Sequence, residues 1–342
     1  MKPIISTVFV LFIALFLVAC QSDDQVVNLY TSRHYDIDQQ LYDLFTEETG
    51  IQVNIIQAGG DVLIERILSE GENSPADLFM TVNVSLLEEA KARGILQPFD
   101  SNTIVDNVHE DFIDPDNFYT GLSMRARIIA YHKDRVQPSE LSTYEALTEP
   151  QWRGRLLLRS SSNMYNQNMV AAFVPLLGEA DTRSMIQGWV NNFARNPQGN
   201  DRDQARAMAA TNPEGDVAIL NTYYLGLMLN SSDPADVAVA EQIGVFFPNQ
   251  ATTGTHINVS GAGITSTSKN VAAATQLLEF LTSERAQAVF AGGNFEYPVN
   301  PRVELTQFLQ DLGPFNHQTV PFSQISQSME TAYRLMLEVD WT

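Results

Sequence analysis

The sequence predicts an α/β protein built from two successive parallel-sheet units. Three observations carry that expectation. The chain has 342 residues, about twice a typical domain length. Its first third alternates short β-branched runs with helical periods closed by glycine, and after an extended run at Arg125 to His132 the alternation starts again.

Taken in order, Val26 to Tyr30 is a short apolar strand, Ile37 to Thr49 a helix stopped by Gly50, and Ile51 to Ile56 a strand of β-branched residues, together a βαβ opening. Val62 to Glu70 repeats the helical period with Gly71 as its stop, Asp77 to Val82 reads as strand, and Ser85 to Arg93 as a helix ended by Gly94. Beyond the strand at Arg125 to His132 come a helix near Thr143 to Leu147, a strand at Leu156 to Leu158 and a helix from Met164 onwards. Asp216 to Leu220 and Val245 to Phe247 are further strands, and Asn249 to Gly254 is a polar, glycine-containing crossing. Asn270 is placed to cap an apolar helix continuing through Phe290 to Gly292-Gly293, and Ser323 to cap a terminal helix running to Val339.

Composition limits what such a fold does. The chain is 44% hydrophobic and 18% charged, enough apolar surface for sizeable cores, which excludes wholesale disorder. Forty-one acidic against twenty basic residues give a formal net charge of −21, which leaves no broad basic face for a run of phosphates and argues against nucleic acid as partner. A single cysteine, Cys20, excludes internal disulfides and thiolate-rich metal sites, leaving oxygen and imidazole donors for any metal.

The setting of Cys20 bears on location. Lys2 precedes an apolar run from Ile4 to Ala19 that is too short to span a membrane and ends in Leu17-Val18-Ala19-Cys20. This resembles the lipobox of bacterial lipoproteins, in which the cysteine thiol is acylated and becomes the new N-terminus. A plain secretory signal is the alternative, but the cysteine at the cleavage point favours a signal peptide at residues 1–19, a lipidated Cys20 and a short tether to residue 26.

Catalytic signatures are missing: no GxSxG elbow, no His-Glu-x-x-His, no GxxxxGK[ST], and Gly261-Ala262-Gly263 stops short of a dinucleotide fingerprint. Enzyme is therefore the weaker class. What the sequence offers instead is three polar, tyrosine-bearing junctions, each between a strand and a helix: Thr31-Ser32-Arg33-His34-Tyr35, Arg159 to Tyr165, and Asn221-Thr222-Tyr223-Tyr224. Open parallel sheets bind ligands at the carboxyl ends of their strands, so these junctions can converge on one cleft. Each tyrosine alone is more simply a ring packed on a sheet, and His34 alone a surface histidine. Tyr223 and Tyr224 would point about 100° apart in a helix, so only an irregular turn is expected to bring both hydroxyls together.

Phenols and one imidazole without thiols suit a hard trivalent cation, ferric iron above zinc or copper. Helix N-termini would favour phenolate but repel a bare cation, so an oxyanion or small organic anion held by Ser160 to Ser162 is a rival ligand, and a secreted acid–base enzyme using Tyr and His is another.

Five segments carry a family resemblance. Val27 to Tyr35, Arg159 to Gln167, Asn196 to Asp201, Asn221 to Tyr224 and Gly254 to Gly261, in this order, closely resemble the ferric-iron-binding substrate-binding proteins of bacterial ABC importers. The resemblance implies a type II periplasmic-binding-protein fold: two α/β lobes around a cleft, joined by two crossing strands. It places the first lobe at residues 27–128 and 254–304 and the second at 129–253 and 305–342. It implies Fe(3+) held by His34, Tyr35, Tyr165, Tyr223 and Tyr224, a monomeric binder anchored to a membrane in the periplasm, and an ABC permease as its partner. Some relatives carry a basic residue three positions after the tyrosine pair, where this chain has Leu227. Four phenolates around Fe³⁺ leave a net charge of −1, for which Arg33, Arg125 and Arg127 are the candidate compensators, although surface placement is the usual fate of arginine.

Overall fold

The computed structural model describes residues 26–342; the expected signal segment and Cys20 lie outside the described residues. Apolar and β-branched residues form strand β1 (Val26–Thr31), and β2 (Gln52–Gln57) and β3 (Leu78–Thr81) pair with it in parallel on either side. The helices between them, Asp36–Thr49 and Gly60–Glu70, end as expected at Gly50 and Gly71, where glycine tolerates the positive φ. Next come β4 (Leu96–Gln97), the long β5 (Thr120–His132), β6 (Leu156–Leu157), β7 (Val217–Asn221), β8 (Ile243–Phe246) and β9 (Ile257–Thr265).

The strands lie in the order β2-β1-β3-β9-β5-β7-β6, with β4 on β9 and β8 on β5. The purely parallel expectation fails here. β9 runs antiparallel to β3, β4 and β5, and β5 runs antiparallel to β7 and β8, so the sheet is mixed. β9 escapes a reading by apolar pattern because Asn258, Ser260, Gly261 and Gly263 interrupt it. Gly261 and Gly263 are where backbones come closest: an added Cβ would sit 2.5 Å from the carbonyl oxygens of Thr120 and Phe118 respectively. Gly261-Ala262-Gly263 is thus strand packing and no part of a nucleotide loop.

β5 is the strand shared by the two parts of the sheet. Its residues Thr120 to Ala126 pair with β9, and Arg127 to Tyr131 pair with β7. Buried clusters follow that division. Val27, Leu41, Phe45, Leu277 and Phe290 pack on one side, while Tyr144, Trp152, Phe173, Trp189 and Trp341 pack on the other. A third cluster, from Phe79 and Leu87 through Ile128 to Leu220 and Leu225, runs beneath both ends of β5.

Three further expectations are corrected. The single helix from Asn270 through Phe290 is two, Val271–Thr282 and Glu284–Asn294, because Ser283 turns extended and caps the second through its side chain on the Ala286 amide. Asn270 makes no side-chain cap. Ser323 lies inside a short helix, Phe322–Gln327, preceded by Pro321, and the final helix is Met329–Glu338. The helix near Thr143 to Leu147 is a 3-10 turn, Glu145–Thr148. Among the described residues, no helix is long and apolar enough to cross a membrane.

Candidate metal centre

Each tyrosine junction forms for a local reason. After β1 the chain turns so that Tyr35 immediately precedes the helix Asp36–Thr49, and the Asp38 carboxylate accepts from the Tyr35 amide at 3.4 Å. After β6, the Asn163 side chain caps the helix Met164–Leu177, which puts Tyr165 in its first turn. β7 runs directly into the helix Thr222–Leu229, with Tyr223 and Tyr224 in the first turn.

The three junctions meet. Tyr35 Oη lies 3.4 Å from Tyr223 Oη although the residues are 188 apart in the chain. The Tyr35 and Tyr223 rings stand edge to face with centres 6.0 Å apart. The Tyr223 and Tyr224 rings stack at 4.1 Å. That stacking corrects the expectation of an irregular turn: regular helix suffices, because the neighbouring rings tilt onto one another. Tyr165 is buried in the same group, close enough to couple electrostatically to Tyr35, Tyr223 and Tyr224.

His34 stands at the edge. It is exposed, stacks on Tyr35 at 5.2 Å, and lines a cleft of about 230 Å³ with Tyr35, Arg202 and Leu227. Leu227 lines the same opening as His34.

The three candidate arginines are buried rather than at the surface. Arg33 Cζ lies 4.8 Å from the Tyr35 ring centre and Arg125 Cζ 5.3 Å from that of Tyr165. Arg127 stands a step further back, with Nη1 2.9 Å from Asp201 Oδ1 and Nη2 2.7 Å from Asn166 Oδ1. Sequence reasoning missed the residues that hold these cations. Glu296 bridges Arg33 and Arg125, Asp38 pairs with Arg33, and Asp201 joins Arg127 to Arg159. A signal existed for two of them: Glu296 is a lone acid between Phe295 and Tyr297, and Asp201 closes the segment Asn196 to Asp201.

Burial sets the resting charge of the phenols. It pushes Tyr35 and Tyr223 well above the ordinary tyrosine range, and coupling to the neighbouring Tyr165 phenol adds to the rise at both. Tyr224 is pushed up to about 12, by burial first and then by Asp201 and Tyr165. The nearby guanidiniums act against this, Arg125 and Arg33 at Tyr35 and Arg159 at Tyr224. These three phenols thus stay protonated near neutrality until an added cation displaces their protons. Among the described residues, no three His, Cys, Asp or Glu side chains gather in a metal-holding group. A metal here would be held mainly by phenol oxygens, a hard donor set suited to a small trivalent ion.

Comparison with known proteins places the chain among characterised relatives. Iron uptake protein A1 of Synechocystis sp. is 47% identical over 319 residues, 93% of this chain and 88% of the relative. The Trichodesmium protein FutA (IdiA), solved in complex with iron and citrate ligands, is 46% identical with a TM-score of 0.88, covering 93% of this chain and 100% of that one. The ferric binding protein from Campylobacter jejuni is 38% identical with a TM-score of 0.87, covering 92% and 100%. The mixed α/β architecture is accordingly the type II periplasmic-binding-protein fold. The family model for bacterial extracellular solute-binding proteins matches residues 73–314. Binding a solute, rather than transforming one, is the business of that group, and this chain belongs to the bacterial extracellular solute-binding protein family.

Proposed function

We propose that this protein captures ferric iron between two lobes outside the cytoplasm and delivers it to the permease of an ABC importer. The observation that carries the reading is the convergence of Tyr35, Tyr165, Tyr223 and Tyr224 from three strand–helix junctions on both halves of the sheet, with hydroxyls of opposite halves 3.4 Å apart. The relatives support it, since their names and contents are those of iron uptake and ferric-binding proteins. The ligands would be the four phenolates, with His34 reaching in from the cleft edge as the lobes close. One lobe would comprise residues 27–128 and 254–304 and the other 129–253 and 305–342. Iron would thus join His34 and Tyr35 to Tyr165, Tyr223 and Tyr224, and binding would favour the closed state. With four phenolates, the ferric site would carry a net charge of −1; Arg33 and Arg125 are matched by Asp38 and Glu296, so the surplus positive charge beside the site would be that of Arg127 and Arg159, which share Asp201.

Titration of the purified protein with ferric citrate tests this. Phenolate-to-iron charge transfer should give a broad visible band, lost or strongly shifted in Tyr223→Phe and Tyr224→Phe, which keep the ring and remove the oxygen. A colourless mixture that retains no metal rejects the reading. The lipid anchor is tested separately: Cys20→Ser should move the protein from the membrane to the soluble fraction, and an unchanged membrane fraction rejects the anchor.

A further inference from the structure

The proposed lobes also meet at a point away from the phenols. Among the described residues, and apart from the crossing strands and the segments beside them, the side-chain hydrogen bonds that join the lobes fall in two places. One is the pair Tyr35 and Tyr223. The other is Ser85 of the first lobe, whose Oγ donates to Asn168 Oδ1 and whose carbonyl accepts from Ser326 Oγ at 3.3 Å, both partners belonging to the second. Ser85 stands in the first turn of the helix Val84–Ala92, where its amide donates to the capping Asn83 Oδ1 at 3.1 Å. Asn168 lies one turn beyond Tyr165 on the helix Met164–Leu177. Its Nδ2 donates to the Met164 carbonyl at 2.9 Å, which leaves Oδ1 for Ser85. Both residues are buried, Ser85 at 5% exposure and Asn168 at 2%.

The two joints differ in kind. A bond between phenols needs a proton, and a metal bound there displaces protons. An alcohol and an amide do not titrate near neutrality and offer a metal no anionic oxygen, so the bond between Ser85 and Asn168 is the same whether the phenols are protonated or ligated. What it depends on is closure. With the lobes together, water is excluded and each group has the other as partner; with the lobes apart, both are hydrated. A buried bond between neutral groups shifts such an equilibrium by a factor of about 2 to 10. Because Tyr165 and Asn168 stand one turn apart on one helix, a rigid movement that draws Tyr165 away from Tyr35 also draws Asn168 away from Ser85.

We propose that Ser85 and Asn168 form a latch: their bond is made as the cleft shuts, favours the closed arrangement with or without metal, and slows the escape of a bound ion. The proposal rests on the two-lobe ferric reading and adds to it two positioning residues that touch no metal. Ser326 supports the latch from the second lobe by holding the Ser85 carbonyl.

Two measurements on the purified protein test this, with Ser85→Ala, Asn168→Ala and the double variant, each checked for folding by circular dichroism. In small-angle scattering of metal-free protein, both single variants should have a larger radius of gyration than the wild type. In the ferric form, each should release iron to an excess of chelator about 2 to 10 times faster. The visible band should stay at its wild-type position, because no ligand has changed. The double variant should release iron no faster than the quicker single variant, since one bond cannot be lost twice. Equal radii in the metal-free state overturn the proposal, as do wild-type release rates, and so does a double variant whose effect is the product of the two single ones. A wild type with no visible band overturns the ferric reading alone, and the metal-free radii then still decide whether the latch exists. If one single variant does not fold, the other carries the test.

Discussion

His256 ties the pH dependence of stability to the crossing between the halves. Its ring is buried, with Nδ1 3.1 Å from Gln318 Oε1 and no partner at Nε2. Its amide donates to Tyr144 Oη, and its carbonyl accepts from the Arg127 amide. Burial is the main reason its pKa is pushed down to about 3, and the Arg127 charge works in the same direction. A free imidazole titrates near 6.5. Between those values the unfolded chain binds a proton that the folded chain refuses, so the stabilising contribution is present above about pH 6.5 and is lost as pH falls toward 3. At one unit per 1.36 kcal/mol the loss is about 2 kcal/mol at pH 5 and about 5 kcal/mol at the acid limit. Urea unfolding of iron-free protein at pH 7 and pH 5 measures it. His256→Gln removes the titration, so its loss between the two pH values should be smaller than the wild type's by about 2 kcal/mol. Equal losses would show that the ring is not held neutral by its burial, and the argument would fail.

Other perturbations act on the site and its supports. Asp201 is fully buried and takes Arg127 Nη1 at 2.9 Å and Arg159 Nη1 at 2.6 Å, so Asp201→Asn should cost about 3–5 kcal/mol in urea unfolding by stranding two cations. Gly254 has φ +80° and its added Cβ would lie 2.6 Å from the His317 carbonyl group; Gly254→Ala should destabilise by at least about 1 kcal/mol by the same measurement. Because burial holds Tyr35, Tyr223 and Tyr224 protonated, ferric binding releases protons, and iron retention should fall about tenfold per pH unit for each proton released, read by visible absorbance on acidification. Small-angle scattering should show the wild type contracting with Fe³⁺ and the double variant His34→Ala with Tyr35→Phe contracting less; full contraction of that variant would remove His34 and Tyr35 from the grip on the metal.

Local chemistry made much of this molecule readable. β1, the helix closed by Gly50 and the helix closed by Gly71 announce themselves through β-branched runs and glycine stops, which depend only on neighbours in sequence. The tyrosine junctions were legible for a related reason, since a ring in the first turn after a strand stands near the strand's carboxyl end whatever the rest of the chain does. Burial of the arginines was not legible. Arg33 meets Glu296 across 263 residues and Arg127 meets Asp201 across 74, and no window along the chain contains both partners. The exposure of His34 beside the half-buried Tyr35 likewise follows from which side of one turn faces the cleft. The direction of β9 was hidden by its own composition, because a strand wedged between two backbones needs glycine and small polar residues more than it needs an apolar pattern.

That wedge has a consequence for how the protein comes into being. β9 sits between β3 and β5, so the sheet carrying Tyr35 stays open at its middle until residues 257–265 have been synthesised. A nascent chain carrying β1, β2, β3 and β5 has two unsatisfied edges facing each other and no way to seal them. The order of synthesis therefore works against early collapse into a finished half. The sheet carrying Tyr35 gains its central strand only when about three quarters of the chain exists, whereas β5, β6, β7 and β8 precede β9 and can pair with one another without it.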